Sequence, residues 1–241
     1  YRISQSTIEA AGLGSVQVEN LELWRNGERV PFYPSVASGV LPANGFLEFW
    51  GQPNDGKPDQ YLYRNPAYQH TKVNSLIHDT ATYFLSVNTS QSGFRITDQL
   101  NDAPSSALPA EPYFIHKTGI YFKNRINPGF AAVVGEYVYS SSFDKGEFWS
   151  SSYITPSVAL TQQLTNLYVY SSGPATEVRI GAAGAASNAR TIKVSINATS
   201  VLDTAMDFFN DFLGSRSLPT SVLAGGTADI RFSETSASSS D

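Results

Sequence analysis

Asn26 and Gly27 stand between two runs in which apolar and polar side chains alternate. Before them, Leu21, Leu23 and Arg25 share one face of an extended chain and Glu22 and Trp24 share the other. After them, Val30 and Phe32 resume the alternation. A two-residue turn between antiparallel strands needs positive φ at both positions, and Asn-Gly supplies it at least steric cost. The pattern therefore predicts a type I′ hairpin. Short runs of the same kind recur at 46–50, 83–87, 92–96, 113–115, 119–122, 133–140, 163–170, 177–180, 191–197 and 228–232. Each is rich in β-branched or aromatic residues and closed by Gly, Pro, Ser or Asn. The expected fold is mainly β: a jelly-roll-like β-sandwich preceded by a smaller β-rich N-terminal domain with a short helix.

Two stretches break the period of two. Ser6 and Glu9 have the spacing of a capping box and Gly12 can close the turn, which predicts a short helix over 6–11. Residues 203–213 place apolar side chains at 205, 206, 208, 209, 212 and 213, ahead of Gly214. That spacing fits an amphipathic helix with Asp203 as N-cap, with a bulged strand as the alternative. Residues 101–112 contain Pro104, Pro109 and Pro112 and cannot sustain a ladder or a helix. They divide a domain over 1–100 from a β-sandwich over 113–232, or else form a long loop within one domain. Residues 233–241 lack core side chains and read as a tail, or as a junction to a further domain.

The formal net charge of −5 and the absence of any Lys/Arg cluster argue against nucleic acid. No apolar run approaches the ~20 residues of a membrane-spanning helix. With no cysteine, disulfides, thiol catalysis and cysteine-ligated zinc are excluded.

Asn54, Asp55 and Asp59 put oxygen ligands close together in a Gly-containing loop, a candidate set for a hard cation such as calcium. The competing reading is a structural turn whose Asx side chains bond local backbone. Trp50, Tyr61, Tyr63 and Tyr68 form a candidate stacking platform for a glycan, set against ordinary packing of aromatic side chains. His70, His78 and His116 show no ligand spacing, and no Gly-x-Ser-x-Gly elbow supports a hydrolytic triad. Thr80 and Thr204 each lie in an Asp-Thr-Ala triplet, similar to an O-glycosylation acceptor of exported bacterial proteins.

The most specific words are Glu48-Phe49-Trp50-Gly51, Asn54-Asp55-Gly56, Asp59, Leu62-Tyr63, Pro66, and Asp79-Thr80-Ala81-Thr82-Tyr83-Phe84-Leu85. They resemble the N-terminal, non-catalytic region of PorU-like and gingipain-family proteins of type IX secretion in Bacteroidetes. Ser141-Ser142-Phe143-Asp144-Lys145-Gly146-Glu147-Phe148-Trp149, residues 177–182 and residues 191–197 look like further words of that family. Phe148 and Ala198 stand where the family commonly has glycine. The resemblance implies a secreted or cell-surface, outer-membrane-associated protein. It also implies a β-rich segment ahead of a caspase-like cysteine peptidase domain. Without cysteine, this chain is not that domain, and no catalytic residue carries over. The partners implied are that downstream domain or a protein of the secretion machinery. A stand-alone carbohydrate-binding or adhesive β-sandwich is the alternative.

Overall fold

Asn26 and Gly27 form the turn that their pairing predicts. In the computed structural model their φ angles are 50° and 79°, and they join β2 (Leu21–Arg25) to β3 (Glu28–Val30) with Arg25 opposite Glu28 and Leu23 opposite Val30. The structure describes residues 1–100, 109–133, 136–140 and 143–236. Its regular secondary structure is mainly antiparallel strand, with one short α-helix near the N-terminus. The chain divides into two units, Tyr1–Pro58 with Ile77–Pro109 and Asp59–Leu76 with Ala110–Asp241. Residues 101–108, the greater part of the expected linker, lie outside the described residues. The segment Asp59–Leu76 belongs to the second unit, although its place in the chain falls within the first hundred residues.

In the first unit, β1 (Arg2–Ser4) leads directly into α1 (Gln5–Ala10). The helix starts earlier than the Ser6–Glu9 spacing suggests, because the Ser4 hydroxyl accepts from the Thr7 amide and so caps it. Gly12, at φ 79°, ends it as expected. Pro31 stops β3, and the chain changes sheet into β4 (Phe32–Pro34). With β5 (Phe46–Phe49) in the middle, β1 and β4 make one sheet. With β2 in the middle, β3 and β6 (Phe84–Val87) make another. Ile8, Val18, Leu21, Leu23, Phe32, Leu41, Leu47 and Phe49 form the core, each large side chain contributing roughly 1.5–3 kcal/mol on burial. Of the run at 92–96, only Arg95 is bridged, to Phe32.

The second unit contains β7 (Arg125–Asn127), β8 (Gly129–Val133), β9 (Glu136–Ser140) and β10 (Phe148–Ser150), which pair as β7 with β10 and β8 with β9. Beyond them come β11 (Leu160–Leu164), β12 (Thr176–Ala183), β13 (Arg190–Ile196), β14 (Thr199–Ala205), β15 (Asp211–Leu218) and β16 (Ala228–Ser236). A four-stranded sheet in the order β11-β16-β13-β14 packs against the ribbon β12-β15. Ile192, Val194, Leu202 and Met206 meet Ile180 between the layers, with Val178, Ala182 and Phe212 packed against them. The period of two is complete in β13, where Arg190, Ile192, Val194 and Ile196 are buried and the residues between them are not. Asn197 and Ala198 turn β13 into β14 at φ 47° and 64°.

Three expectations fail in this unit. The helix expected over 203–213 is instead the end of β14, a turn, and the start of β15. Cross-strand pairing wins there: Asp203 lies opposite Lys193 and forms an ion pair with it at 3.2 Å, and Phe208 turns the chain with φ 58°. The runs at 113–115 and 119–122 form no strand, and of the run at 163–170 only residues 163 and 164 belong to one, the end of β11. The last strand continues to Ser236, past the Phe232 where the apolar pattern ends, because backbone pairing with β13 needs no apolar side chain. Residues 237–241 of the expected tail lie outside the described residues. Among the described residues, no helix is long and apolar enough to cross a membrane.

Candidate functional site

The ribbon β12-β15 has two faces. Val178, Ile180, Ala182 and Phe212 point to the core, so the alternation sends Gly181, Ala183, Asp211 and Leu213 to the other side. His70 sits against this second face, where a Cβ on Gly181 would lie 3.0 Å from His70 Nδ1. The imidazole is buried and stacks on Phe148, with ring centroids 3.9 Å apart and planes 7° from parallel. Its Nε2–H donates to Asp211 Oδ2 at 2.7 Å, while Lys145 Nζ lies 3.2 Å from Asp211 Oδ1. His70 Nδ1 has no hydrogen-bond partner among the described residues. Burial alone would raise the Asp211 carboxyl, but the hydrogen bond and charge of His70, with Lys145, outweigh it and hold it below the ordinary value.

Segment 59–76 is tied to residues 143–149 at several further points. The buried Tyr63 hydroxyl donates to the Glu147 carbonyl at 2.7 Å, and the Tyr63 ring meets Phe143 edge-on at 5.4 Å. Arg64 donates its amide to the Phe143 carbonyl and pairs with buried Asp144 at 2.9 Å. Trp149 Nε1 donates to the Ser75 carbonyl at 2.8 Å. The carboxylate of Asp59, itself buried, accepts from Ser75 Oγ at 3.0 Å and the Leu76 amide at 2.8 Å. The segment is therefore a clasp, closed on itself by Asp59 and fastened to the sheet by His70, Tyr63 and Trp149.

The ionised Asp211 gives a pH dependence. Its carboxylate titrates lower in the folded chain than in the unfolded one, so the unfolded state takes up more protons as the medium turns acid. Its contribution is complete above pH ~4 and is lost as pH falls through the depressed value. Asp211→Asn is expected to cost about 1.5–3 kcal/mol at pH 7, the worth of a charge-assisted hydrogen bond. It should also flatten the loss of stability as pH falls below ~4. Urea titrations at several pH values read both effects, and equal acid sensitivity in the two proteins would refute the assignment.

A cleft of about 1690 Å³ runs through the second unit. One wall is the whole length of β12, and inner-face residues such as Val194, Ile230 and Phe232 contribute the floor. Tyr113, Phe114, Tyr121, Tyr153, Tyr168 and Tyr170 stand around it with exposed rings. Small-molecule pockets span roughly 300–1,000 Å³, so this space suits an extended chain better than a compact ligand.

The residues singled out in the sequence are dispersed. Asn54 and Asp55 belong to the first unit and Asp59 to the second. Asn54 Oδ1 accepts from the Gly56 amide, and Asp55 accepts from the Lys57 amide and pairs with Lys57 at 3.0 Å. These are the Asx turns of the competing reading, and no group of three acidic, His or Cys side chains suited to a metal occurs among the described residues. Trp50 is 80% exposed in the first unit. Tyr61 is 89% exposed in the second, where Tyr63 is 6% exposed and turned inward. Tyr68 is half-buried. The four do not form an exposed row, because Tyr63 is part of the clasp. Thr80 is exposed, whereas Thr204 is half-buried in β14 opposite Ile192. His78 and His116 are exposed. The pairing of His70 with Asp211 was not visible in the sequence, since 141 positions separate them.

The chain matches no family model, no curated protein and no solved structure.

Proposed function

We propose that this chain is a non-catalytic accessory segment of a secreted or cell-surface cysteine peptidase of the gingipain/PorU type, supporting or orienting the peptidase domain or holding a partner. One observation carries the reading. The family-like words around Leu62-Tyr63 and around Phe143-Trp149 interlock, through the Tyr63 hydroxyl on Glu147 and Arg64 on Asp144. Segments that depend on each other for their polar contacts form one structural unit, and such a unit can hold a neighbour in place. Ala198 adds support, because it occupies a left-handed turn position that favours the glycine customary in the family. His70, the buried histidine, spends its Nε2 on Asp211. Reading the native gene beyond Asp241 tests the proposal. A continuing frame with a His and Cys peptidase pattern is expected, and a stop codon soon after Asp241 would overturn it.

The exposed rings around the cleft favour a second reading, a glycan-binding β-sandwich. Tyr168 is 95% exposed, and its open aromatic face offers a surface on which a sugar ring can stack. On that reading a glycan array gives binding that Tyr168→Ala lowers at least about tenfold, a change of about 1.4 kcal/mol. A blank array would eliminate it.

A further inference from the structure

Residues 109–122 run past the cleft without regular secondary structure. None of their backbone groups has a hydrogen-bond partner among the described residues. Phe114 and Ile115 are 79% and 77% exposed. Backbone polar groups and large apolar side chains left open together are the signature of a strand without its sheet. The cleft supplies the missing counterpart. Among the described strands β12 pairs with β15 alone, so its second edge is free over the 8 residues Thr176–Ala183, and that edge lines the same cleft as the strap.

We propose that the cleft is a strand-accepting groove whose occupant is the chain's own strap, residues 113–122, added to the free edge of β12 as a displaceable third strand. The two sequences suit each other. β12 turns Val178, Ile180 and Ala182 inward, and in the seated strap a one-residue bulge at Thr118-Gly119 would bring Tyr113, Ile115, Lys117, Ile120 and Phe122 to a single face. Apart from Lys117 these are β-branched and aromatic side chains, the residues that fit a half-buried pleated surface. The strap is already tethered at the groove. Tyr113 stacks on Tyr170 at 5.5 Å, and just beyond the strap the Asn124 amide donates to the Ser150 carbonyl. A tethered strand competes at high effective concentration, so an incoming strand has to displace it. The seated strap also protects the edge from pairing with other chains. A partner that displaces it would be an extended peptide with apolar residues at alternate positions, bound through its backbone.

Residue-resolved amide exchange on the full chain tests this without any substitution. The seated strap predicts amides in 113–122 that exchange at least about tenfold more slowly than in an unstructured peptide. It also predicts protection at consecutive amides of β12, where pairing with β15 alone protects only alternate ones. Ile115→Pro and Ile120→Pro each remove a donor from the strap. Both should release the second set of β12 amides while β13 and β16 stay protected. Strap amides exchanging at the unstructured rate would overturn the proposal. So would protection of alternate β12 amides only, or a β12 pattern that the prolines leave unchanged. Should the prolines prevent folding, the unsubstituted chain's exchange pattern decides alone.

Discussion

Arg190→Met is expected to destabilise the second unit by about 3–5 kcal/mol, because several acceptors in its loops lose a charged hydrogen-bond donor at once. Arg190 is the first residue of the buried face of β13 and is 7% exposed. Its guanidinium donates to the Phe208 carbonyl at 2.5 Å, to the Met206 carbonyl at 3.4 Å, to the Ala186 carbonyl at 3.0 Å and to Asn188 Oδ1. Its amide donates to Asp207 Oδ1 at 2.9 Å. One side chain thus satisfies the backbone of both loops that close this end of the sandwich, 184–189 and 206–210. Methionine keeps the stem's volume but withdraws the donors that the guanidinium gives those carbonyls, and a buried group that loses its donor costs roughly 1–3 kcal/mol. Arg190→Lys keeps the charge without the planar fork and should recover less than half of the loss. Urea unfolding followed by Trp149 emission reads the second unit, with Trp24 and Trp50 replaced by Phe. A loss below about 1 kcal/mol would mean that water takes over the guanidinium's bonds.

The network around Arg190 also shows where sequence reading succeeded and where it stopped. The alternation over 191–197 located β13 within a residue, because each side chain on that face reports its own burial. The Asn26-Gly27 turn was legible for a similarly local reason, since positive φ at two adjacent positions admits few residue pairs. Over 203–213 the spacing fits a helix, and of the two readings it is the strand that the structure shows, interrupted by a turn. The apolar spacing there is set by two strands meeting a turn at Phe208, and a window of eleven residues cannot distinguish that from a helical stripe. The clasp was out of reach for a different reason. His70 contacts Asp211, Tyr63 contacts Glu147 and Trp149 contacts Ser75, and each contact closes a long stretch of chain that no local pattern records. The oxygen-rich loop at 54–59 was legible as a cluster of polar residues, but the donors that use those oxygens are Gly56, Lys57, Ser75 and Leu76. Composition identifies the acceptors and leaves the donors unknown.

In the first unit a glycine packed against a guanidinium gives the second large effect. Gly93→Ala is expected to cost about 3 kcal/mol or more, at the upper end of overpacking penalties. A Cβ at Gly93 would overlap the Leu21 carbonyl oxygen and the Arg95 guanidinium. Neither can step aside. Leu21 is fully buried in β2, and Arg95 lies 4.0 Å over the Phe32 ring while donating to the carbonyls of Leu21 and Val18. The Gly93 amide is held as well, donating to the Glu19 carbonyl at 3.0 Å. Gly27→Ala supplies the contrast. Nothing lies within 4 Å of a Cβ there, but φ is +79°, so the penalty is conformational and about 1–2 kcal/mol. Space is the problem at Gly93 and backbone angle at Gly27, and the two should respond differently to Arg95→Ala. Removing that side chain relieves part of the clash at Gly93, so the double variant should lose less than the sum of its parts. Combined with Gly27→Ala, the same change should be additive. Urea unfolding read by Trp24, whose indole donates to Ser86 Oγ at 3.0 Å, measures both cycles. Strict additivity at Gly93 would show that the Leu21 carbonyl alone sets the limit there.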